Sequence, residues 1–178
     1  MALEQPERQR LFFALTPSSE LAQAFHQLAM TELQVCRGRR LKPEQIHLTL
    51  RFIGSTDHDR ATCLREAADR LTLPAFELVF DTLGYWPRPR VVWSMPSHVP
   101  AALTDIAAQL ERICVACGLP PETRAYVPHL TLLRNARQRP AAVTMPPLHW
   151  PVDAFALISS QTLPQGAVYT ELQRWALH

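Results

Sequence analysis

The tetrapeptide His-Leu-Thr-Leu occurs twice, as His47-Leu48-Thr49-Leu50 and as His129-Leu130-Thr131-Leu132, once in each half of a 178-residue chain. An imidazole titrates near pH 6.5, so of two imidazoles in one site one can start neutral and accept a proton while the other starts charged and donates one. Two hydroxyls beside them can hydrogen-bond an oxygen on which negative charge builds. Residues of these types, offered in pairs, suit an in-line displacement at phosphorus, where the attacking and departing oxygens lie on opposite sides of the atom. A single His-x-Thr is ordinary surface decoration. Four specified residues repeated in one short chain are not expected by chance.

Both copies read as strands. Each follows a proline, Pro43 or Pro128, and runs into apolar residues. A period of two places His and Thr on one face and the two leucines on the other. The leucines are therefore expected in a core, with His and Thr facing a shared, symmetric cleft.

Around these strands the chain alternates recognisably. Leu11 to Leu15 is an apolar run read as a buried first strand. Thr16-Pro17 offers a helix start, with Leu21, Phe25 and Leu28 on one face and an end near Cys36. A basic loop, Arg37 to Pro43, leads to the first His strand, which stops at Gly54. A second helix is expected from about Asp57 to Leu71. Strands follow at Phe76 to Phe80 and Val91 to Met95, separated by a turn-rich segment holding Tyr85, Trp86, Arg88 and Arg90. The third helix starts at Pro100, carries Leu103, Ile106, Leu110 and Ile113 as its stripe, and ends at Gly118 and Pro120. The second His strand extends to Arg134. Asn135 to Pro151, with Pro140, Pro146, Pro147 and Pro151, reads as largely loop, before two closing strands at about Val152 to Ser160 and Val168 to Leu177. Strand, helix, His strand thus occurs twice, the second time from near Val91, which points to a pseudo-twofold. Nothing reads as a linker, so residues 1–178 are taken as one domain.

Composition sets limits. With 47% hydrophobic residues the chain can bury a sizeable core. The first ten residues are charged and lack an apolar signal core, and no run is long enough to span a bilayer, so a soluble cytoplasmic protein is expected. Cys36, Cys63, Cys114 and Cys117 lack a disulfide-framework spacing and read as reduced thiols. Cys114 and Cys117 form a C-x-x-C without a second pair, more in keeping with core packing than with zinc. The net charge is only +2, but seventeen of the eighteen cations are Arg, whose forked guanidinium matches phosphate oxygens. A GC-rich genome would produce the same bias, so only the positions of particular arginines argue for phosphate. Arg51 shares the ideal face of His47 and Thr49 and is a candidate phosphate contact; Arg90 is a weaker one. His26, His58, His98, His149 and His178 have no matching partner and read as structural or exposed.

The doubled motif, the opening Gln9-Arg10-Leu11-Phe12-Phe13-Ala14, the stretch Arg90-Val91-Val92-Trp93, the run Pro128 to Arg134 and the closing Arg174-Trp175-Ala176-Leu177 together resemble the bacterial RNA 2′,3′-cyclic phosphodiesterases. These are also called 2′-5′ RNA ligase-like proteins, within the two-histidine (2H) phosphoesterase superfamily. The resemblance covers nearly the whole chain. It implies a bilobal α+β fold with two antiparallel sheets lining a central cleft and helices outside. It also implies hydrolysis of a terminal 2′,3′-cyclic phosphate to a 2′-phosphate, with a reverse reaction that joins RNA ends by a 2′-5′ bond. By analogy His47 is the proton donor and His129 the acceptor, a choice symmetry alone cannot make, with Thr49 and Thr131 binding nonbridging oxygens. Arg134 matches the arginine that follows the family's second motif. Five residues after His129, it falls on the wrong face of an ideal strand and reaches the cleft only if the strand bends. The resemblance also suggests Phe13 as a stacking partner for the terminal base. The implied substrate is RNA with a cyclic phosphate end or a small cyclic nucleotide, handled by a monomer without cofactor, metal or membrane.

Three other readings use the same residues. A metal hydrolase would need further ligands, and Glu44 is the only acidic neighbour of either motif. A noncatalytic RNA-end or nucleotide binder would hold phosphate in the same cleft without turnover. A phosphodiesterase acting on small cyclic nucleotides would keep the chemistry and change the substrate.

Overall fold

The structure is a computed structural model and describes residues 8–142, 144–164 and 166–178; the charged run at residues 1–7 lies outside them. Among the described residues nine strands and three helices follow in the order β1 (Gln9–Leu15), α1 (Ser19–Thr31), β2 (Arg39–Arg40), β3 (Leu48–Thr56), α2 (His58–Ala68), β4 (Phe76–Trp86), β5 (Val91–Pro96), α3 (Ala101–Ala116), β6 (Leu130–Arg134), β7 (Thr144–Val152), β8 (Ala154–Leu163) and β9 (Gly166–Ala176), with a 3-10 turn at Pro43–Gln45 between β2 and β3. The antiparallel order is β7-β4-β5-β6-β3-β1-β8-β9, with β2 added beside β6.

The middle of that order is its weak point and its key. β3 and β6 pair only through Leu48 and Leu130, whereas every other neighbouring pair forms a longer ladder. The sheet therefore consists of two four-stranded blocks, β9-β8-β1-β3 and β6-β5-β4-β7, joined by one bridge. The repeat expected from the sequence is present as β1-α1-β3 and β5-α3-β6. Each repeat's helix reaches toward the other block: α1 touches β6 and β7, and α3 packs on β3.

Leu48, Leu50, Leu130 and Leu132 are buried, in one core with Phe13, Phe25, Phe80 and Trp150. Burying such side chains stabilises by roughly 1.5–3 kcal/mol each, and this is what obliges the intervening His and Thr to face the other way. Ser18, one residue beyond the expected Thr16-Pro17 start, caps α1 by accepting from Leu21 N–H at 3.2 Å, and Asp57 caps α2 by accepting from Arg60 N–H at 2.9 Å.

Two expectations are corrected. The segment read as loop up to Pro151 contains β7, which accepts three prolines because it is an edge strand bonded only to β4. The thiols are not all reduced: Cys63 on α2 is disulfide-bonded to Cys117 at the end of α3. Their helices pack together, which brings residues 54 apart in sequence within bonding range. Cys36 and Cys114 remain free and buried, and burial pushes the Cys114 thiol up to about 12.

Candidate active site

His47 and His129 each stand one residue before the leucine of the bridge, so the single junction between the blocks brings the two imidazoles to one cleft. The local chemistry is the same at both. His47 Nδ1 lies 2.8 Å from the Gln45 carbonyl and His129 Nδ1 lies 2.9 Å from the Val127 carbonyl, in each case two residues back. A carbonyl only accepts, so Nδ1 carries the proton and Nε2 is left for the cleft. Thr49 and Thr131 follow on the same face, both half-buried.

Aromatic walls hold the rings. The Phe12 and Tyr169 rings lie 4.8 and 4.9 Å from that of His47. Trp86 stands edge-on to His129 at 4.6 Å and packs on Trp93 at 5.4 Å. Gly84 is required here, because a Cβ on it would lie 2.0 Å from the Trp93 ring. Burial drives both imidazoles toward the neutral form. His47 is pushed down to about 4, chiefly by desolvation, with the positive charges of Arg134 and His129 acting in the same direction against the Gln45 carbonyl. His129 is lowered by desolvation and by Arg134, against the Val127 carbonyl. The Arg134 guanidinium is close enough for its charge to act on both rings. Among the described residues no three His, Cys, Asp or Glu side chains converge as metal ligands.

Residues 16–163 match the family model of the 2′-5′ RNA ligase superfamily. The chain belongs to that superfamily. It is 35% identical over 175 residues to the RNA 2′,3′-cyclic phosphodiesterase of Escherichia coli K12, covering 96% of this chain and 98% of the relative. The Thermus thermophilus protein of the same name is 32% identical over 184 residues, covering 94% and 90%. E. coli LigT complexed with 3′-AMP superposes with a TM-score of 0.86 at 34% identity, over 96% of this chain and 99% of LigT.

As a superfamily member, the chain shows how its strands sort the residues nominated from sequence. Arg134 reaches the cleft through a β-bulge. Thr131 pairs with Trp93 and Leu133 with Val92, so Leu132 and Leu133 are consecutive core residues and Arg134 returns to the face of His129 and Thr131. β3 has the same irregularity: Thr49 pairs with Ala14 and Arg51 with Phe13.

That second bulge takes Arg51 off the face of His47 and Thr49 on which an ideal strand would place it. It turns Arg51 to the helix side, where it ion-pairs with Glu111 of α3 and donates to the Pro120 carbonyl at 2.9 Å. Phe52, not Arg51, is the counterpart of Arg134 on the cleft face. Phe13 is also corrected: it is fully buried against Phe155 and Trp175 and has no face to offer a base. Phe12, one residue earlier on the opposite face, lines the cleft beside His47. Arg90 ends the β4–β5 turn with φ 64° and accepts from Ala136 N–H at 3.0 Å through its carbonyl; it lines neither side of the cleft.

Residues missed from sequence include Phe12, Tyr169 and Gln45. Phe12 was legible once alternation was applied to Leu11–Leu15, because both neighbours of a core residue must face away from that core. Gln45 carried no signal of a place at the site, since the contact that puts it there is with Ala167 of β9, far away in sequence. Of the unmatched histidines, His26 Nδ1 meets the Leu41 carbonyl at 2.7 Å and His149 pairs with Glu77 at 2.8 Å.

Proposed function

We propose that the chain is an RNA 2′,3′-cyclic phosphodiesterase that opens a terminal 2′,3′-cyclic phosphate to a 2′-phosphate, working as one bilobal cytoplasmic monomer over residues 1–178. The observation that carries this reading is the matched pair of imidazoles, each held by an Nδ1 bond to the carbonyl two residues back and each presenting Nε2 to one cleft.

That geometry supports the following steps, with donor and acceptor assigned as the family resemblance implies. His129 Nε2 takes a proton from water as its oxygen bonds to phosphorus, while His47 gives a proton to O3′ as the P–O3′ bond breaks. Thr49 and Thr131 donate to the nonbridging oxygens, and Arg134 offsets the charge that develops on them. A 5′-hydroxyl in place of water would yield a 2′-5′ linkage by the same proton movements. No described helix is long and apolar enough to cross a membrane.

The test is product analysis on a short RNA ending in 2′,3′-cyclic phosphate, with excess chelator present. The intact protein should yield a 2′-phosphate terminus, and His47→Ala and His129→Ala should each lose roughly 100- to 10,000-fold in rate. An untouched RNA end would overturn the reading.

A further inference from the structure

Arg39 and Arg134 stand directly opposite each other where β2 pairs with β6. Directly opposed residues in an antiparallel pair project to the same face, and like charges there destabilise the pair. Nothing among the described residues relieves this one. Among the described residues neither guanidinium has a hydrogen-bond or ion-pair partner, whereas Arg40, next along β2, donates to the Ala29 carbonyl at 2.9 Å. Arg51, Arg60, Arg124 and Arg174 all pair with carboxylates.

Arg10 is a third such cation in the same wall of the cleft. It lies 4.8 Å over the Phe52 ring and also has no carboxylate partner. All three line the side of the cleft that holds His47, a pocket of about 430 Å³ without an Asp or Glu in its wall. The backbone is shaped to put Arg39 there. Gly38 adopts φ 125°, and a Cβ on it would lie 2.9 Å from the Arg134 carbonyl and 3.0 Å from Ala136.

The other side of the cleft, beside His129, is built differently. Its acidic residues, Glu111 and Glu122, are already paired with Arg51 and Arg124, and Trp86, Tyr126 and Val127 give it an apolar wall. Only the His47 side therefore offers uncompensated positive charge, in the guanidinium form that suits phosphate oxygens.

We propose that Arg39, assisted by Arg10, binds the phosphodiester one nucleotide upstream of the cyclic phosphate, so that the RNA leaves the cleft past β2 and the β8–β9 hairpin and not past Trp86. This rests on the reading given under Proposed function, in which Arg134 serves the reacting phosphate. It makes the preferred substrate an oligonucleotide, because a mononucleoside cyclic phosphate has no upstream phosphodiester.

The experiment compares three substrates: a dinucleotide ending in 2′,3′-cyclic phosphate, the same dinucleotide with an uncharged methylphosphonate linkage, and the mononucleoside 2′,3′-cyclic phosphate. In the intact protein the charged dinucleotide should exceed the methylphosphonate roughly tenfold in kcat/KM. In Arg39→Gln that gap should close, since removing the cation and removing the anion delete one interaction and cannot add. A smaller closure is expected for Arg10→Gln. A full gap in Arg39→Gln, or an equal fall on all three substrates, overturns the proposal; thermal melting confirms that the variants are folded.

If the intact protein opens no cyclic phosphate, the hydrolytic reading fails and the strand path is judged separately. The fluorescence anisotropy of a labelled 3′-phosphate-ended dinucleotide is then compared with that of its methylphosphonate form. An affinity gap that disappears in Arg39→Gln, with a salt slope lower by about 0.7, supports the path; equal affinities overturn it.

Discussion

At the scale of single residues, the two imidazoles are tuned by what surrounds them before any substrate arrives. Burial and the Arg134 guanidinium favour the neutral rings, so the free protein holds a proton on the pair only below the ordinary histidine range. A dianionic transition state or a bound phosphate reverses the sign, because negative charge beside Nε2 favours imidazolium. The kcat/KM profile, which reports the free enzyme, should therefore be a bell lying to the acid side of pH 6.5, and the kcat profile should be displaced to higher pH. Both limbs belong to the coupled pair and not to either ring alone. A rate independent of pH between 5 and 9 would exclude paired acid–base catalysis. Phe12 and Phe13 provide a second contrast. Phe13→Ala should cost about 3–5 kcal/mol of stability by opening a core cavity, read by denaturant melts. Phe12→Ala, on the cleft face, should change KM and the His47 titration with a smaller loss of stability. The reactive residues were legible because they repeat. The choice between two adjacent phenylalanines was also in the pattern, but it required the face of each residue and not its type.

At the scale of elements, the two His strands do more than alternate. Each inserts a bulge after its Thr, and the bulge decides which later residue returns to the cleft: Phe52 on β3 and Arg134 on β6. An ideal strand read from sequence puts Arg51 on the face of His47 and Arg134 off the face of His129; the bulges reverse this, and Arg51 lies at the helix-side rim of the cleft beside Glu111. The sequence does not announce a bulge when both residues at it are compatible with the core side, as Leu132 and Leu133 are. Arg51 consequently fastens β3 to α3, and Arg51→Ala should lower stability while a phosphate-contact role would have lowered phosphate affinity; calorimetric titration with a nucleoside monophosphate separates the two. Gln45 acts at the same level. Its side chain accepts from Lys42 N–H at 3.1 Å and donates to the Ala167 carbonyl at 2.8 Å, which ties the 3-10 turn to β9. The turn's last carbonyl is the one that fixes His47 Nδ1. Gln45→Ala should reduce kcat by about tenfold, in keeping with the loss of a buried hydrogen-bonded support, with a lesser effect on KM. Nitrogen-15 shifts of the His47 ring should report a mixture of tautomers in that variant and a single one in the intact protein.

At the scale of the whole molecule, two features hold the halves together apart from the sheet: the helices that reach across, and the Cys63–Cys117 bond between α2 and α3. The bond closes a loop spanning 54 residues, for which chain entropy allows up to about 4 kcal/mol of stabilisation. Reduction, or Cys63→Ser, should lower Tm while hydrolysis continues, since neither cysteine lines the cleft. Acid acts on the same balance. Because folding depresses His47 and His129, the unfolded chain takes up protons that the folded one refuses as pH falls from about 6.5. Stability should decline over that interval toward about 4, and His47→Gln should flatten the decline. The expected alternation of strands and helices matches the fold closely; the crossing of the helices and the cysteine bond were hidden, because both depend on residues that meet only after the two repeats have closed on each other.

The single bridge between Leu48 and Leu130 has a further meaning. It works as a fixed gauge: both jaws are set by core leucines immediately beside the junction, and nothing in the nucleotide takes part in setting them. In the proposed reaction, what the junction measures is one phosphorus atom with an oxygen on either side, whatever base is attached. On the proposed strand path, discrimination among RNAs is left to the walls farther out, so changes to Arg10 or Arg39 should redirect the molecule to other ends while the gauge, and with it the reaction, stays as it is.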